Sequence, residues 1–348
     1  MSSGLEGVVA FDTEIAEPDR DGGALRYRGI DIEELAGRVP FERVWGLLVD
    51  GALDPGLAPA DPVELPARSG DTRAEVQAAI ALVPARPLID IDGAQARDEL
   101  ARLSALTLDF VAQSARGADR APVPPPADGT LAERFLERWR GEVDPRHAQA
   151  IDAYWVSAAE HGMNASTFTA RVVASTGADA AAALSAAAGA LSGPLHGGAP
   201  SRVLKMLDEV ERLGDASAWV NRALDAGERL MGFGHRVYRA EDPRSRVLRR
   251  TAQELGSRRY EVAEALEAAA LEALRARKPD RVLATNVEFW SAVVLDFAEV
   301  PPELFTPLFI CARTAGWSAH VLEQQREGRL VRPSARYVGP GPRSIAAA

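Results

Sequence analysis

Gly193-Pro194-Leu195-His196-Gly197-Gly198-Ala199 interrupts what would otherwise be continuous helix. Before it, the Ala-rich run Ala178 to Leu191 reads as a helix that Gly193 stops and Pro194 cannot continue. After it, Pro200 suits the first position of a second helix, Ser201 to Leu213. His196 therefore sits on a short loop between two helices, beside glycines that let a backbone approach a ligand closely or adopt positive φ. A plain interhelical turn with a satisfied histidine would read the same way, so the rest of the chain has to decide.

Composition narrows the classes. The 348 residues can bury one large core or two domains, and 47% hydrophobic with 26% charged residues is ordinary for a globular protein. Abundant alanine with only 6% aromatics favours helix over sheet. A net charge of −10 gives nucleic acid no electrostatic footprint. No basic segment followed by an apolar core opens the chain, and no run of about 18 strongly apolar residues occurs, so neither a signal peptide nor a membrane span is expected. The single cysteine, Cys311, excludes an intrachain disulfide, fits a reducing cytoplasm, and reads as a small core residue between Ile310 and Ala312.

Outward from the central loop, helices dominate. Strands are expected only near the amino terminus, where Val8 to Ile15 and Leu25 to Arg28 flank Asp21-Gly22-Gly23 as a hairpin. Asp31 caps a short helix to Leu35, and further helices are expected over Phe41–Asp50, Asp71–Val83 and Gln95–Ser114. Residues 54–70 and the Pro-rich 116–129 read as surface loops, and helix resumes at Leu131.

The breaks between later helices carry the chemistry. Glu160-His161-Gly162-Met163-Asn164-Ala165-Ser166-Thr167 ends one helix and starts another, with Asn164 or Ser166 as cap, so His161 stands at a helix end that suits an anion. Met231-Gly232-Phe233-Gly234-His235-Arg236-Val237-Tyr238-Arg239 is a tight loop presenting a histidine and two arginines. It is no dinucleotide fingerprint, since no strand leads in and the third glycine is missing. Asp242-Pro243-Arg244 opens the next helix. Asn286 caps another, placing Glu288 in its first turn among aromatics; helix-dipole stabilisation and a water-shielded general base are both open to it. Arg313 interrupts an apolar helix, Pro302 to Gln325, and needs an anionic partner if buried; Arg332 follows the Gly328 break. The five histidines are far apart in sequence without metal-ligand spacing, His147 and His320 read as structural, and no Walker A or Gly-x-Ser-x-Gly motif occurs.

In this order, His161-Gly-Met-Asn-Ala-Ser-Thr-Phe, Gly193-Pro-Leu-His-Gly-Gly-Ala, Gly232-Phe-Gly-His-Arg-Val-Tyr, Asp242-Pro-Arg and Arg332-Pro-Ser-Ala-Arg-Tyr-Val-Gly-Pro resemble the citrate synthase family over about 1–50 and 145–340. The resemblance implies an all-α, two-domain helical fold with a small N-terminal β-hairpin. Its large domain would comprise 1–199 and 301–348, with an inserted small domain, 200–300, closing over the substrates. It implies a cytoplasmic homodimer that condenses acetyl-CoA with oxaloacetate and hydrolyses the thioester to citrate and CoA, without metal or other cofactor and with no nucleic-acid or membrane partner. His196 would donate to the thioester oxygen, Glu288 would be the base, and His235 would polarise the ketone. His161, Arg244, Arg313 and Arg332 would hold oxaloacetate, Arg332 reaching the partner's site. Leu230, Met231, Gly232, Phe233 and Gly234 would receive the adenine of CoA and Arg239 its phosphates. The family usually has aspartate at the Glu288 position; the extra methylene moves the carboxylate by about 1 Å, which a displaced helix start would compensate. A 2-methylcitrate synthase using propionyl-CoA and a weakly active CoA- or dicarboxylate-binding sensor are the alternatives.

Overall fold

The computed structural model describes residue 5 and residues 7–344, apart from 20, 22, 127, 194–195, 197–199, 235–237, 239–240 and 282, with 200–201 described in backbone alone. Its elements are strands β1 (Ala16–Asp19), β2 (Ala24–Tyr27) and β3 (Ile30–Asp31), then helices α1 (Ile32–Leu35), α2 (Phe41–Asp50), α3 (Thr72–Leu82), α4 (Gly93–Arg116), α5 (Leu131–Arg140), α6 (Pro145–Ala158) and α7 (Ala165–Ala174). There follow α8 (Ala180–Leu191), α9 (Pro200–Leu213), α10 (Ala216–Asp225), α11 (Pro243–Glu254), α12 (Tyr260–Arg277), α13 (Val287–Phe297) and α14 (Phe305–Glu327). The all-α class with a small amino-terminal sheet is thus as expected.

The first strand is a correction. Pairing runs from Asp19↔Ala24 to Ala16↔Tyr27, so the strand begins after Ile15 rather than at Val8. The turn sets this register, Gly23 N donating to Asp19 O. Arg28 and Gly29 then turn the chain at positive φ (49° and 86°) into β3, which leaves residues 8–14 without a partner strand. Val8 and Val9 are accordingly exposed.

Helix starts follow local capping chemistry. Asp71, Asp92, Thr130, Asp179, Asp215 and Asp242 each accept a backbone N–H of the first turn, Asp92 and Thr130 in capping boxes with Gln95 and Glu133. Pro40 cannot cap α2 in this way, and Asp152 of α6 does so across the fold, accepting Phe41 N–H at 2.8 Å. The Pro-rich stretch is a loop pinned by arginines: Arg116 donates to Ala121 O, and Arg138 to Val123 O.

Helix α14 is buried almost throughout and packs against α2, α4, α6, α7 and α8. Small residues at 312, 315, 316 and 319 let neighbours approach, and Gly316 N donates to Ala159 O at the end of α6. The Ala-rich α8 lies against α7 and α3 for the same reason. Helices α9 to α13 pack largely on one another, while α11 and α13 also rest on α6. These contacts bring the ends of α6, α11 and α13 together.

Candidate active site

Two backbone segments build the floor. Phe233 bridges to Thr285, Gly234 N donates to Ala284 O (2.7 Å), and Asn286 N donates to Gly232 O (2.9 Å). The Asn286 side chain serves both sides: Nδ2 donates to Gly234 O at 2.9 Å, and Oδ1 caps α13 by accepting Glu288 N–H at 3.0 Å. Gly232 has φ +85°, and a Cβ there would lie 2.8 Å from Phe289 Cβ, so only glycine lets this loop close on α13. Leu230 and Phe233 are buried, Met231 is half-buried, and the Phe233 ring stacks obliquely on Phe289.

Asp242 ties this floor to an arginine. Its Oδ1 accepts from Arg244 N and Nε (3.1 and 2.9 Å), and its Oδ2 accepts both Arg244 Nη2 (2.8 Å) and Val287 N (3.0 Å). One buried carboxylate therefore caps α11, orients the Arg244 guanidinium and holds the amino end of α13. Burial would lower the Arg244 pKa, but Asp242 more than offsets it and the net direction is up. Glu288, one residue after Val287, has its pKa raised mainly by burial, with Arg244 and Arg229 opposing.

A second group lies on the α6 and α14 side. His161 Nε2 and Tyr238 Oη are 3.0 Å apart, and Tyr238, pushed upward in pKa mainly by burial, feels the charges of Arg244 and Asp242. Arg313 is fully buried, donates from Nε to Ala158 O (2.9 Å), and lies over the Phe309 ring. Burial lowers its pKa, and the charge of Glu160 opposes this from beyond hydrogen-bond reach, since Arg313 Nη1 and both Glu160 carboxylate oxygens have no hydrogen-bond partner among the described residues. Arg244 lies close enough to Arg313 for their like charges to repel. Tyr27 Oη accepts Glu160 N–H (3.2 Å) and fixes the turn that delivers His161.

His196 closes a third side. Its Nε2 is 3.0 Å from Ser166 Oγ, which also accepts from Trp317 Nε1 (3.2 Å) and lies 2.8 Å from Asn164 Oδ1. Asn164, rather than Ser166, is the cap of α7. The Phe309 ring also meets the His196 ring edge-on, with 6.3 Å between centroids, so one phenyl ring neighbours both His196 and Arg313.

The structure thus gathers His161, Arg244, Arg313 and Glu288 around α6, α11, α13 and α14, and joins His196 to them through Phe309. Arg332 is exposed on the segment after α14, beyond Val331, whose N–H donates to Ser175 Oγ at 3.1 Å. His235 and Arg239 lie outside the described residues. Sequence reading passed over Tyr27, Glu160 and Tyr238, all inside quoted motifs or beside them, and took Asp242, and Ser166 as an alternative to Asn164, for caps alone. Among the described residues no group of three or more His, Cys, Asp or Glu could hold a metal, and no helix is long and apolar enough to cross a membrane.

With this geometry in place, the similarities are specific. The family model "Citrate synthase, C-terminal domain" matches residues 4–334. The chain is 66% identical to a Mycobacterium tuberculosis (strain H37Rv) protein named "Putative citrate synthase 2", covering 98% of this chain and 94% of that one. It is 32% identical to the 2-methylcitrate synthase of Shewanella oneidensis, over 99% of this chain and 96% of that protein. Among solved structures it matches the citrate synthase of Thermoplasma acidophilum in ternary complex with carboxymethyl coenzyme A and oxaloacetate, with TM-score 0.85, 28% identity and 99% of each chain covered.

Proposed function

The chain belongs to the citrate synthase family, and on that premise we propose that it condenses the methyl carbon of acetyl-CoA with the ketone carbon of oxaloacetate and hydrolyses the thioester to citrate and CoA. In this reading Glu288 removes the α-proton while His196 donates to the thioester oxygen; a thioester α-proton is too weakly acidic without such a donor. Ser166 Oγ gives its one proton to Asn164 Oδ1 and so accepts from His196 Nε2, the ring N–H that the thioester oxygen would take over. The new carbanion attacks the ketone, His235 polarises that carbonyl and protonates its alkoxide, and water then releases CoA. Arg244, Arg313 and His161 hold the two carboxylates, and no metal or cofactor enters the scheme.

The observation that carries the reading is the start of α13. There Glu288, half-buried and raised in pKa, sits on a helix whose first N–H shares Asp242 with Arg244, and whose cap is tied to loop 230–234. A dicarboxylate on Arg244 and an acyl-CoA on that loop would meet at Glu288. The same reading takes residues 200–300 as a small domain that closes on the remainder, with Leu230 to Gly234 and Arg239 receiving CoA.

We further propose a cytoplasmic homodimer in which Arg332 reaches the partner's site. Leu330, Tyr337 and Val338 on the same terminal segment are exposed in the single chain, as apolar side chains covered by a second copy would be. The similarity to a 2-methylcitrate synthase favours propionyl-CoA as a second substrate, since one methylene is worth only about 1–3 kcal/mol in a pocket. Thiol release from acetyl-CoA and from propionyl-CoA, each with oxaloacetate and on one preparation, tests both. Faster release from acetyl-CoA supports the main reading, faster release from propionyl-CoA the second, and binding without release from either marks a sensor.

A further inference from the structure

Glu160 is fully buried, and neither of its carboxylate oxygens has a hydrogen-bond partner among the described residues. Within ion-pair distance of it, among the described residues, is His320 of α14, also fully buried, with Nε2 3.4 Å from Oε1. That is longer than a good hydrogen bond, yet neither atom has a better partner. The other oxygen packs on the bare backbone of α14 at Gly316, where any side chain would collide with it. On the same face of α14, one turn earlier, stands Arg313, whose buried Nη1 has no hydrogen-bond partner among the described residues.

The proton on His320 is directed from behind. Arg171 Nη1 lies 3.2 Å from His320 Nδ1 and can only donate, so Nδ1 accepts and the ring proton sits on Nε2, toward Glu160. Arg171 is itself held by Glu323 Oε2 (2.5 Å), Glu327 Oε2 (2.9 Å) and Gln324 Oε1 (3.0 Å), which leaves it no freedom to follow another anion.

We propose that His320 is a positioning residue for the dicarboxylate site: it holds the Glu160 carboxylate against Gly316 and so keeps it from pairing with Arg313 Nη1, which stays available to the substrate. Without the imidazole, the buried carboxylate turns to the nearest cation and becomes an internal competitor for oxaloacetate. The inference rests on the reading of Arg313 as an oxaloacetate ligand.

Calorimetric titration of oxaloacetate into the whole protein tests it without requiring turnover. His320→Leu should weaken binding about tenfold or more, whereas His320→Gln, whose amide N–H replaces Nε2–H, should stay within about threefold of wild type. Glu160→Gln combined with His320→Leu should regain most of the lost affinity, because an amide offers Arg313 no charge. Should His320→Leu fail to fold, His320→Asn leaves Glu160 equally without its donor and should show the same loss. A purely structural histidine predicts a lower melting temperature with unchanged affinity, or equal losses for Leu and Gln, or no recovery in the double variant; each overturns the proposal. Wild-type protein that binds no oxaloacetate overturns it as well, whereas binding without thiol release overturns only the proposed reaction.

Discussion

Replacing Gly232 with alanine isolates the contact on which the floor of the site depends. Two costs can be worked out. The residue has φ +85°, where an L side chain is disfavoured by about 1 kcal/mol. The new methyl would lie 2.8 Å from Phe289 Cβ and 3.2 Å from its Cα, atoms of a buried helix that cannot swing aside, so overpacking adds about 1–3 kcal/mol. Gly214 supplies the control, with φ +74° and nothing within 4 Å of its would-be Cβ, so its alanine variant bears the first cost alone. For 348 residues unfolding with about 2.1 cal/mol/K each, Gly232→Ala should lower the melting temperature by about 3–6 °C and Gly214→Ala by about 1–2 °C. Because Gly232 O accepts from Asn286 N, moving the loop also moves the cap of α13, so Gly232→Ala should raise the KM for acyl-CoA and lower kcat together. Equal melting temperatures for the two variants, or an unchanged acyl-CoA KM, would refute the reasoning.

Three further outcomes are expected. Burial pushes Asp152 up to about 7, with Glu42 and Glu133 adding to the effect against the Phe41 N–H. Its folded value is above the ordinary one, so its contribution is full below about pH 4 and is lost as pH rises through about 7, a swing of about 4 kcal/mol. Asp152→Asn keeps the acceptor for Phe41 N–H and cannot ionise; denaturant midpoints should match wild type at pH 4 and exceed it at pH 8, and a variant no more stable at pH 8 would contradict this. Asp242→Asn strips Arg244 of its carboxylate and should cost about 3–5 kcal/mol while weakening oxaloacetate binding, which an unchanged melting curve would disprove. Cys311 is fully buried with its thiol pKa raised, so a maleimide should label it only after unfolding; labelling of the native protein at pH 8 would be the opposite result.

What could be read from the chain was what nearest neighbours decide. Asn164, Asp242 and Asn286 each accept an N–H two residues on, an interaction that a few consecutive residues specify. The hairpin start was misplaced because β pairing depends on where the partner strand ends, and Arg28 and Gly29 end it early. Partnerships across elements left no local sign. His320 and Glu160 are 160 positions apart, and Asp242 joins two helices that only tertiary packing brings together. Arg313 showed its need for an anion through its apolar helix, but nothing in the spacing pointed to Glu160, which was hidden beside the more conspicuous His161.

The account turns on Glu288 acting as the base within reach of a dicarboxylate held by Arg244. The most direct measurement is thiol release from acetyl-CoA by Glu288→Gln, with oxaloacetate affinity determined on the same sample. Loss of the base should lower kcat about a hundredfold or more and leave oxaloacetate affinity within about twofold of wild type. Undiminished release by the variant would contradict the account.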